Sequence, residues 1–236
     1  MTEELFREDA YLKECEATVT AVSTGGITLD RTVFYYTSGG QPGDTGRLTT
    51  TGGVSVEIVD TIKDRDSGVL LHVPGEGSPN LLPGDKVSAG IDWDRRHRFM
   101  RMHTCMHLLC SVIEGGVTGG SLGDGKGRID FDLAVTDLDK EVIAAEINAR
   151  IEENHPLSAS WISDAEMATK MDLIRTMSVK PPSGQGRVRL INIEGVDLQP
   201  CGGTHVKATG EIGRIRIGKI ENKGKHNRRV NILFDE

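Results

Sequence analysis

Short runs of β-branched residues, separated by glycine-containing turns, fill the first part of the chain and constrain its fold most strongly. The runs are Ala17–Val22, Ile27–Asp30, Val54–Asp60, Gly68–Val73 and Lys86–Ile91. Each has the length of a β-strand, and segments between them such as Leu82-Pro83-Gly84-Asp85 are typical of turns. Several short strands at this spacing favour a small β-barrel.

The pattern changes near residues 91–94, where helical signals replace the short strands. Asp94 can cap a helix that runs to about Ile113, and Thr136 and Ser163 each precede an acidic residue by three positions, as in a capping box. Strand-like runs alternate with these helices. We therefore expect an α+β fold, in which residues 1–91 form an N-terminal small β-barrel domain and residues 92–236 form a domain of helices packed on an antiparallel sheet.

The composition of the chain is typical of a soluble globular protein. Hydrophobic residues make up 37% of the 236 residues and charged residues 27%. No apolar run approaches the roughly 20 residues that cross a bilayer, and the acidic N-terminus lacks the apolar core of a signal peptide. The 4 cysteines do not resemble a disulfide framework. We therefore predict a cytoplasmic protein with no membrane partner.

The net charge of −7 argues against a general nucleic-acid binder. The charge is unevenly distributed, because residues 206–236 contain 8 basic and 4 acidic residues. A basic segment of this kind is typical of an ordinary solvated surface, but it also permits a local contact with RNA phosphates. Charge alone leaves both interpretations open.

The first candidate for chemistry is the segment His103-Thr104-Cys105-Met106-His107 in the predicted helix. Residues four apart share one face of a helix, so both imidazoles can point at one metal ion. Two helical histidines are more often surface residues, so the pair is weak evidence by itself. The glutamate of a His-Glu-x-x-His metalloprotease helix is absent.

The second candidate is the segment Cys201-Gly202-Gly203-Thr204-His205. Cysteine and histidine are preferred zinc ligands, and the two glycines let the chain turn so that both side chains converge. A buried cysteine beside a turn is the alternative. Together the two pairs supply one cysteine and three histidines, a complete tetrahedral shell for Zn²⁺. Such a shell is either a closed structural site or a catalytic site that loosens a ligand or adds a fifth.

A glycine-rich segment, Gly39-Gly40-Gln41-Pro42-Gly43-Asp44-Thr45-Gly46, is the third candidate. Its glycines permit positive φ angles and close approach to a ligand, and the amide of Gln41 both donates and accepts hydrogen bonds. A glycine-rich hairpin turn is the alternative interpretation.

Taken together, these motifs resemble those of the alanyl-tRNA editing proteins of the AlaX type, which are freestanding relatives of the editing domain of alanyl-tRNA synthetases. The motifs that carry the resemblance are His103-Thr104-x-x-His107-Leu108-Leu109, Cys201-Gly202-Gly203-Thr204-His205-Val206, Thr209-Gly210-Glu211-Ile212 and the glycine-rich segment 39–46. The chain is too short to include an aminoacylation domain, and the glycine-rich segment indicates the medium-length subgroup. The resemblance extends from about Thr18 to Phe234.

The resemblance implies an enzyme, a zinc-dependent aminoacyl-tRNA deacylase that acts in trans. Its substrate would be tRNA(Ala) wrongly charged with serine and, in some members, with glycine. Transferred residue by residue, the resemblance implies one Zn²⁺ per chain, bound by His103, His107, Cys201 and His205. It also implies a β-barrel followed by an α+β editing domain.

Such a site must accept serine and spare alanine, which a hydrophobic pocket cannot do because alanine is the smaller group. A hydrogen bond to the serine hydroxyl can do so. We expect Thr118 and Gln41 to serve this role, although a turn threonine is the simpler interpretation of Thr118. We also expect Gly202, Gly203 and Thr204 to line the substrate, with the glycine amides near the ester.

For contact with tRNA we predict eight basic residues on and beyond the metal helix. They are Arg95, Arg96, Arg101, Lys219, Lys223, Lys225, Arg228 and Arg229. The alternative function is a non-catalytic tRNA-binding module with a structural zinc ion. An editing fragment like that of threonyl-tRNA synthetase would share the metal motifs but lack the glycine-rich segment. The oligomeric state and the choice between serine and glycine stay open.

Overall fold

The computed structural model describes residues 2–134, 137–177 and 186–236. The chain divides into two compact units, Met1–His97 and Arg98–Glu236, which we call the barrel unit and the sheet unit. The predicted boundary at residues 91–92 lies a few residues earlier, at the end of a barrel strand. In the described part of the chain, no helix is both long and apolar enough to cross a membrane.

The barrel unit is built on a closed barrel of six strands, as the pattern of short strands predicts. Its described residues form β1 (Glu3–Glu4), β2 (Glu14–Ser23), β3 (Gly26–Leu29), β4 (Arg31–Thr32), β5 (Gly46–Thr50), β6 (Ser55–Lys63), β7 (Leu70–Pro74) and β8 (Lys86–Ile91), with a 3₁₀ turn at Leu5–Arg7. The barrel order is β2-β3-β7-β6-β5-β8, whereas β1 pairs in parallel with β4.

Alternation along the strands builds the barrel interior. On β6, for example, Val56 and Ile58 are fully buried while Glu57 between them is exposed, as expected for successive side chains on opposite faces of a strand. The sequence does not predict β5, because its single fully buried residue, Leu48, lies among glycine, arginine and threonine.

The sheet unit combines helices with antiparallel sheets, so the predicted α+β class is confirmed. The elements from residue 93 onward are α1 (Trp93–Val112), β9 (Gly116–Gly123), β10 (Lys126–Asp132), α2 (Lys140–Glu152), β11 (Leu157–Ser163), α3 (Asp164–Ala168), β12 (Arg187–Ile193), β13 (Asp197–Pro200), β14 (Ile215–Asn222) and β15 (Asn227–Phe234). Short 3₁₀ turns lie at Met171–Leu173 and Thr209–Ile212. One sheet has the order β14-β15-β10-β9 and the other β11-β12-β13.

Helix α1 packs closely on β10, and a glycine permits the approach. A Cβ atom built on Gly127 would lie 3.0 Å from the Sδ atoms of both Met102 and Met106, a separation that is tight for real side chains. The two methionines therefore mark the helix face that meets the sheet. His103 and His107, one position further along, lie on the neighbouring face.

Two local predictions need correction. The segment around Thr118 is not a turn, because it forms β9, in which Thr118 is the extra residue of a bulge opposite Asp130 and Phe131. Helix α2 begins at Lys140 rather than Thr136, since the Asp139 carboxylate accepts the first backbone N–H groups. Thr136 itself lies outside the described residues. The capping box predicted at Ser163 is confirmed.

Candidate metal centre

Helix α1 supplies the first half of the centre. His103 and His107 lie one turn apart on the same face, and their ring centroids are 5.5 Å apart. Both histidines are buried, with 8% and 6% of their surface exposed. A helix is a rigid support, so the separation of the two imidazoles is fixed by its geometry.

Strand β13 and the turn after it supply the second half. The backbone N–H of Cys201 donates to the Arg189 carbonyl at 3.1 Å, which continues the pairing of β13 with β12. The Arg189 guanidinium in turn donates to the carbonyl oxygens of Cys201, at 3.3 Å, and Gly203, at 2.8 Å. The turn that carries Cys201 and His205 is therefore held by a buried arginine of the neighbouring strand.

The two halves meet, and the ligand atoms of the four residues all lie within 4.8 Å of one another. The Cys201 Sγ atom lies 3.5 Å from His103 Nε2 and 3.3 Å from His205 Nε2. The predicted group of His103, His107, Cys201 and His205 is thus brought together in space. A cluster of one thiol and three imidazoles is a group that could hold a metal ion.

Three of the four donors make a further contact with a neighbouring group: His107, His205 and Cys201. His107 Nδ1 lies 3.2 Å from the Asp197 carboxylate, and His205 Nδ1 lies 3.2 Å from the Thr104 hydroxyl. These contacts leave the Nε2 atoms facing the centre, as is usual for histidines that bind metals. The Gly203 N–H donates to Cys201 Sγ at 3.4 Å, which is a stabilising contact for a thiolate.

The electrostatics of the cluster favour a thiolate. Burial raises the pKa of the Cys201 thiol, but the adjacent His103 and His205 rings lower it further, so that the pKa lies well below its usual value. Burial lowers the pKa of His107, and its contacts with Asp197 and Cys201 more than offset this and raise it to about 9. Burial, with the charge of His103, holds the pKa of His205 well below its usual value.

The neighbouring thiols behave differently. Burial raises the pKa of Cys110 to about 12 and that of Cys105 further still. Both therefore stay protonated at neutral pH and are poor metal donors. Of the three cysteines in the sheet unit, Cys201 is the one whose surroundings favour the anion.

The donor set fits a zinc ion, and one buried atom supports this independently. Asp197 contacts His107 through Oδ2, and its buried Oδ1 has no hydrogen-bond donor in the described part of the chain, with the Arg175 guanidinium 3.6 Å away. Buried carboxylate oxygens are normally paired, so the excess negative charge beside the cluster is suited to a cation. Sulfur and imidazole donors together are typical of zinc.

The glycine-rich segment forms a hairpin turn in the barrel unit, which was the alternative interpretation of its sequence. Ser38 and Gln41 exchange backbone hydrogen bonds of 3.1 and 2.9 Å across Gly39 and Gly40, whose φ angles are +56° and +83°. Positive φ at both central residues is the geometry that favours glycine in a two-residue hairpin. Gln41 is fully buried, and its predicted role in selecting serine stays a prediction.

The other predicted substrate residues are placed in varied ways. Thr118 is half-buried on β9, where its hydroxyl donates to the Asp130 carbonyl at 3.0 Å and accepts from Asn227 at 3.2 Å. Thr204 is fully buried. The Gly203 amide donates to Cys201 Sγ, and Gly202 is half-buried. The predicted placement of both glycine amides near the ester stays a prediction.

Two of the eight predicted tRNA contacts do not fit the structure. Arg96 is fully buried in the barrel unit, where it pairs with the buried Asp44 carboxylate and donates to the Val33 carbonyl at 2.6 Å. Arg228 is 4% exposed and bonds the turn between β14 and β15, including Asn222 at 2.7 Å. Both guanidinium groups are committed to the fold, which removes them from the phosphate-binding candidates.

The remaining basic residues reach the surface to different degrees. Arg95 donates to the Gly43 carbonyl, Arg101 binds Glu236, and Arg229 forms two hydrogen bonds with Asp130. Three lysines of the β14–β15 hairpin are exposed: Lys219, Lys223 and Lys225. Of these, Lys219 and Lys223 lie 3.8 and 3.0 Å from Glu221.

Sequence reasoning missed the residues that orient the ligands, chiefly Asp197, Gln199 and Arg189. Asp197, Gln199 and Cys201 follow one another at alternate positions, which places them on one face of β13. Four residues with a proline and a single leucine, Asp197–Pro200, give a weak strand signal. If β13 had been predicted, the alternation of side chains along it would have placed Asp197 on the same face as the ligand Cys201.

Comparison with known families leads to the class of protein. Residues 188–231 match the family described as the threonyl and alanyl tRNA synthetase second additional domain, and residues 6–95 match the class II (A) tRNA synthetases. The first of these ranges contains Cys201 and His205, and the second contains the barrel strands. Both matches thus relate segments of this chain to the tRNA synthetases.

Full-length relatives narrow the class. The chain is 43% identical to an alanyl-tRNA editing protein AlaX-M of Methanosarcina acetivorans, over 98% of both chains. It is 35% identical to an AlaX-M protein of Saccharolobus solfataricus, again over 98% of both. It is also 36% identical to an alanine–tRNA ligase of Pyrobaculum aerophilum, over 93% of this chain and 25% of the ligase. The chain therefore belongs to the AlaX-M family of alanyl-tRNA editing proteins.

Proposed function

We propose that this chain is a trans-editing hydrolase that removes serine from mischarged tRNA(Ala) at a zinc site, and that glycyl-tRNA(Ala) is a second substrate. The observation that carries the proposal is the convergence of one thiol and three imidazoles within 4.8 Å, in a chain that belongs to the alanyl-tRNA editing family. The sheet unit would be the editing domain, and the protein would act in the cytoplasm.

His103, His107, Cys201 and His205 would hold one Zn²⁺ per chain. Lewis acidity toward the ester carbonyl is the chemistry that such an ion supplies when bound. The Cys201 thiolate contributes negative charge, and the Thr104 and Asp197 contacts keep the rings of His205 and His107 directed at the centre. The Arg189 guanidinium holds the 201–203 backbone in place, and the Gly202 amide would lie beside the ester.

Thr118 is our candidate for selecting serine over alanine. Its hydroxyl donates to the Asp130 carbonyl, so in a contact with substrate it would accept a hydrogen bond from the serine hydroxyl. The Asn227 amide and the bulge in β9 fix its orientation. Direct contact by Gln41 would require the buried hairpin turn to open, which makes Gln41 the weaker candidate.

A Thr118→Val variant tests this role, because valine keeps the shape and removes the hydroxyl. We expect the rate ratio between seryl-tRNA(Ala) and alanyl-tRNA(Ala) to fall by roughly 10-fold, the value of one hydrogen bond of ~1.4 kcal/mol. Thr176→Val, on the segment that pairs with Val117, is a matched control that should leave the ratio unchanged. An unaltered ratio in Thr118→Val would remove Thr118 from the specificity site.

The exposed lysines of the β14–β15 hairpin, Lys219, Lys223 and Lys225, are proposed contacts for tRNA phosphates, together with the partly exposed arginines Arg95, Arg101 and Arg229. Binding that depends on phosphates weakens as salt rises. Replacing all three lysines by glutamine should therefore raise KM for tRNA, flatten its salt dependence and leave kcat unchanged.

The central experiment measures deacylation of seryl-, glycyl- and alanyl-tRNA(Ala) side by side, with zinc content determined on the same sample. We expect release of serine and glycine well above the buffer rate, sparing of alanine, and about one zinc per chain. The alternative, a non-catalytic tRNA-binding module with a structural zinc ion, predicts zinc and tRNA binding without accelerated release. A zinc-loaded protein that leaves seryl-tRNA(Ala) intact would favour that alternative.

A further inference from the structure

We infer that Asp197 is a positioning residue of the metal centre, which holds the His107 ring with Nε2 directed at the ion and adds a negative charge that tightens cation binding. The inference deepens the proposed function, since the ion it concerns is the one proposed there. It rests on the hydrogen-bond geometry, burial and charge around a carboxylate that the family motifs do not include.

The contact with His107 fixes the tautomer of the ring. Asp197 Oδ2 lies 3.2 Å from His107 Nδ1, and a carboxylate can only accept. Nδ1 therefore carries a proton in the charged ring and keeps it in the neutral ring that binds a metal ion, whose lone pair is then on Nε2. Nε2 is the atom that faces the cluster, so the carboxylate sets both the orientation and the protonation pattern that a metal ligand needs.

The carboxylate itself is buried and incompletely paired. Its side chain is 0% exposed. Gln199 Nε2 donates to Oδ2 at 2.7 Å, whereas Oδ1 has no hydrogen-bond donor among the described residues. The Arg175 guanidinium lies 3.6 Å from Oδ1 and is 32% exposed. A carboxylate whose role was confined to the fold would normally have both oxygens bonded, so a further positive charge at the centre is favoured.

Arg175 connects the same carboxylate to a second point on helix α1. Its guanidinium donates to the Cys110 carbonyl at 2.8 Å, one turn beyond His107. Helix α1 is thus tied at two consecutive turns, by Asp197 at the His107 ring and by Arg175 at the backbone. The pair of contacts fixes where the ring lies relative to β13.

Strand β13 then delivers both a ligand and the group that orients another ligand. Asp197 and Cys201 share a face of the strand, with Gln199 between them bonding the carboxylate. Because β12 holds the register of β13 through the Ile193–Asp197 and Leu190–Pro200 pairs, the spacing of Asp197 and Cys201 is set by the sheet. The positions of Cys201 and of the Asp197 carboxylate are therefore fixed relative to each other by the same strand.

The test compares metal affinity in Asp197→Asn and in the parent protein by competition with a chelator, using Co²⁺ and Zn²⁺ added to metal-free protein. Asparagine keeps the shape and removes the charge, and its amide can present hydrogen to Nδ1. We expect affinity to fall about 10- to 100-fold, as is typical for partners of metal-binding histidines, and the Co²⁺ absorption bands to change. Asp172→Asn, an exposed aspartate of the same unit, is the matched control and should equal the parent.

Equal metal affinity and an unchanged Co²⁺ spectrum in Asp197→Asn would overturn the inference, and a fall in thermal stability alone would show a role confined to the fold. A restoring variant adds a further arm: Asp197→Glu, which keeps the charge, should recover part of the affinity. If Asp197→Asn is impaired and Asp197→Glu binds metal no better, the charge does not tighten metal binding and that part of the inference is wrong.

A measurement on the unaltered protein decides the matter even if Asp197→Asn does not fold. Long-range ¹⁵N–¹H NMR of the zinc-loaded chain should show His107 protonated at Nδ1 and metal-bound at Nε2; the opposite pattern overturns the inference. The readouts also separate the two proposals. Parent protein that binds zinc but leaves seryl-tRNA(Ala) intact contradicts the proposed function, whereas Asp197 is judged by metal affinity and tautomer.

Discussion

Residues 38–46 of the barrel unit and residues 197–205 of the sheet unit both combine glycines with polar side chains, but their polar atoms have different partners. In the first segment, Asp44 accepts from the Tyr35 backbone at 2.6 Å and pairs with buried Arg96. In the second, the donor atoms of Cys201 and His205 approach one another and the two helix histidines.

The difference shows how a glycine-rich motif serves a fold or a site. A carboxylate that meets a guanidinium is neutralised within the fold and has little left for a ligand. Imidazoles whose centroids lie 4.3–5.5 Å apart around one sulfur, by contrast, are a favourable arrangement when a cation lies among them. The two segments differ in the groups that their polar side chains contact more than in their glycine content.

The largest expected effect comes from removing the sulfur ligand. In Cys201→Ala we expect co-purified zinc to fall to background and deacylation of seryl-tRNA(Ala) to fall by more than ~100-fold, since even outer partners of ligands are worth that much. Cys15→Ala, at a half-buried cysteine of the barrel unit, should keep both. Full zinc content and activity in Cys201→Ala would mean that the cluster is not the working centre.

A substitution in the barrel-unit segment should reduce the stability of the fold and leave zinc binding unchanged. Asp44→Asn leaves the fully buried Arg96 guanidinium without its counter-ion, and breaking such a pair costs about 3–5 kcal/mol. Chemical unfolding should therefore show a loss of that size, while zinc affinity per folded molecule is retained. The exposed Asp66→Asn is the control. A stable Asp44→Asn with weakened zinc binding would reverse the assignment of the two segments.

A buried histidine in the barrel sharpens the contrast through pH. His72 is fully buried between the Thr32 hydroxyl, 2.8 Å from Nε2, and the Ile27 carbonyl, 3.0 Å from Nδ1. Burial lowers its pKa from 6.5 to about 4. The unfolded chain therefore takes up the proton first, so the stability from neutral His72 is complete above pH 6.5 and is lost as pH falls toward 4.

At pH 5 the protonation of His72 in the unfolded chain should lower the free energy of unfolding by about 2 kcal/mol relative to pH 7. Denaturant unfolding at pH 7 and pH 5 should show that loss in the parent, and His72→Gln should have a flatter dependence because glutamine does not titrate. His226→Gln, at an exposed histidine, is the control. An identical pH slope in His72→Gln and the parent would contradict the assignment.

The smallest effect is expected at the hairpin turn. Gly39 has a φ of +56°, and a Cβ atom at this position would meet nothing within 4 Å, so Gly39→Ala should cost about 1–2 kcal/mol through backbone strain alone. Gly52→Ala, at an exposed glycine whose Cβ would meet Thr50 Oγ1 at an ordinary 3.8 Å, should be nearly neutral. Equal melting temperatures for the two variants would show that the strain is relieved elsewhere.

Much of the fold follows from the sequence because periodicity is strong where burial is one-sided. Five of the six barrel strands, helix α1 and the Ser163 capping box belong to this class. The strand β9 escapes prediction because Gly116, Gly119 and Gly120 look like turn residues; a Cβ at Gly120 would lie 3.3 Å from Met106 Cε. Glycine there reflects close packing, which is a property of the tertiary structure.

The metal ligands can be predicted because their residue types are chemically specific and paired. The positions of Asp197, Arg175 and Arg189 cannot, since aspartate and arginine are common on surfaces and their role depends on which strands become neighbours. For the same reason Arg96 and Arg228 resemble phosphate contacts in the sequence and prove to be internal counter-charges in the structure.

The ligands come from two places in the chain, since Cys201 follows His103 by 98 positions. During synthesis the helix histidines emerge first and offer two donors. At roughly 5–20 residues per second, the ribosome needs on the order of 10 s to supply the rest. The ligand set is complete once His205 has been made, before strands β14 and β15. A chain that stops before residue 201 lacks two of the four predicted ligands.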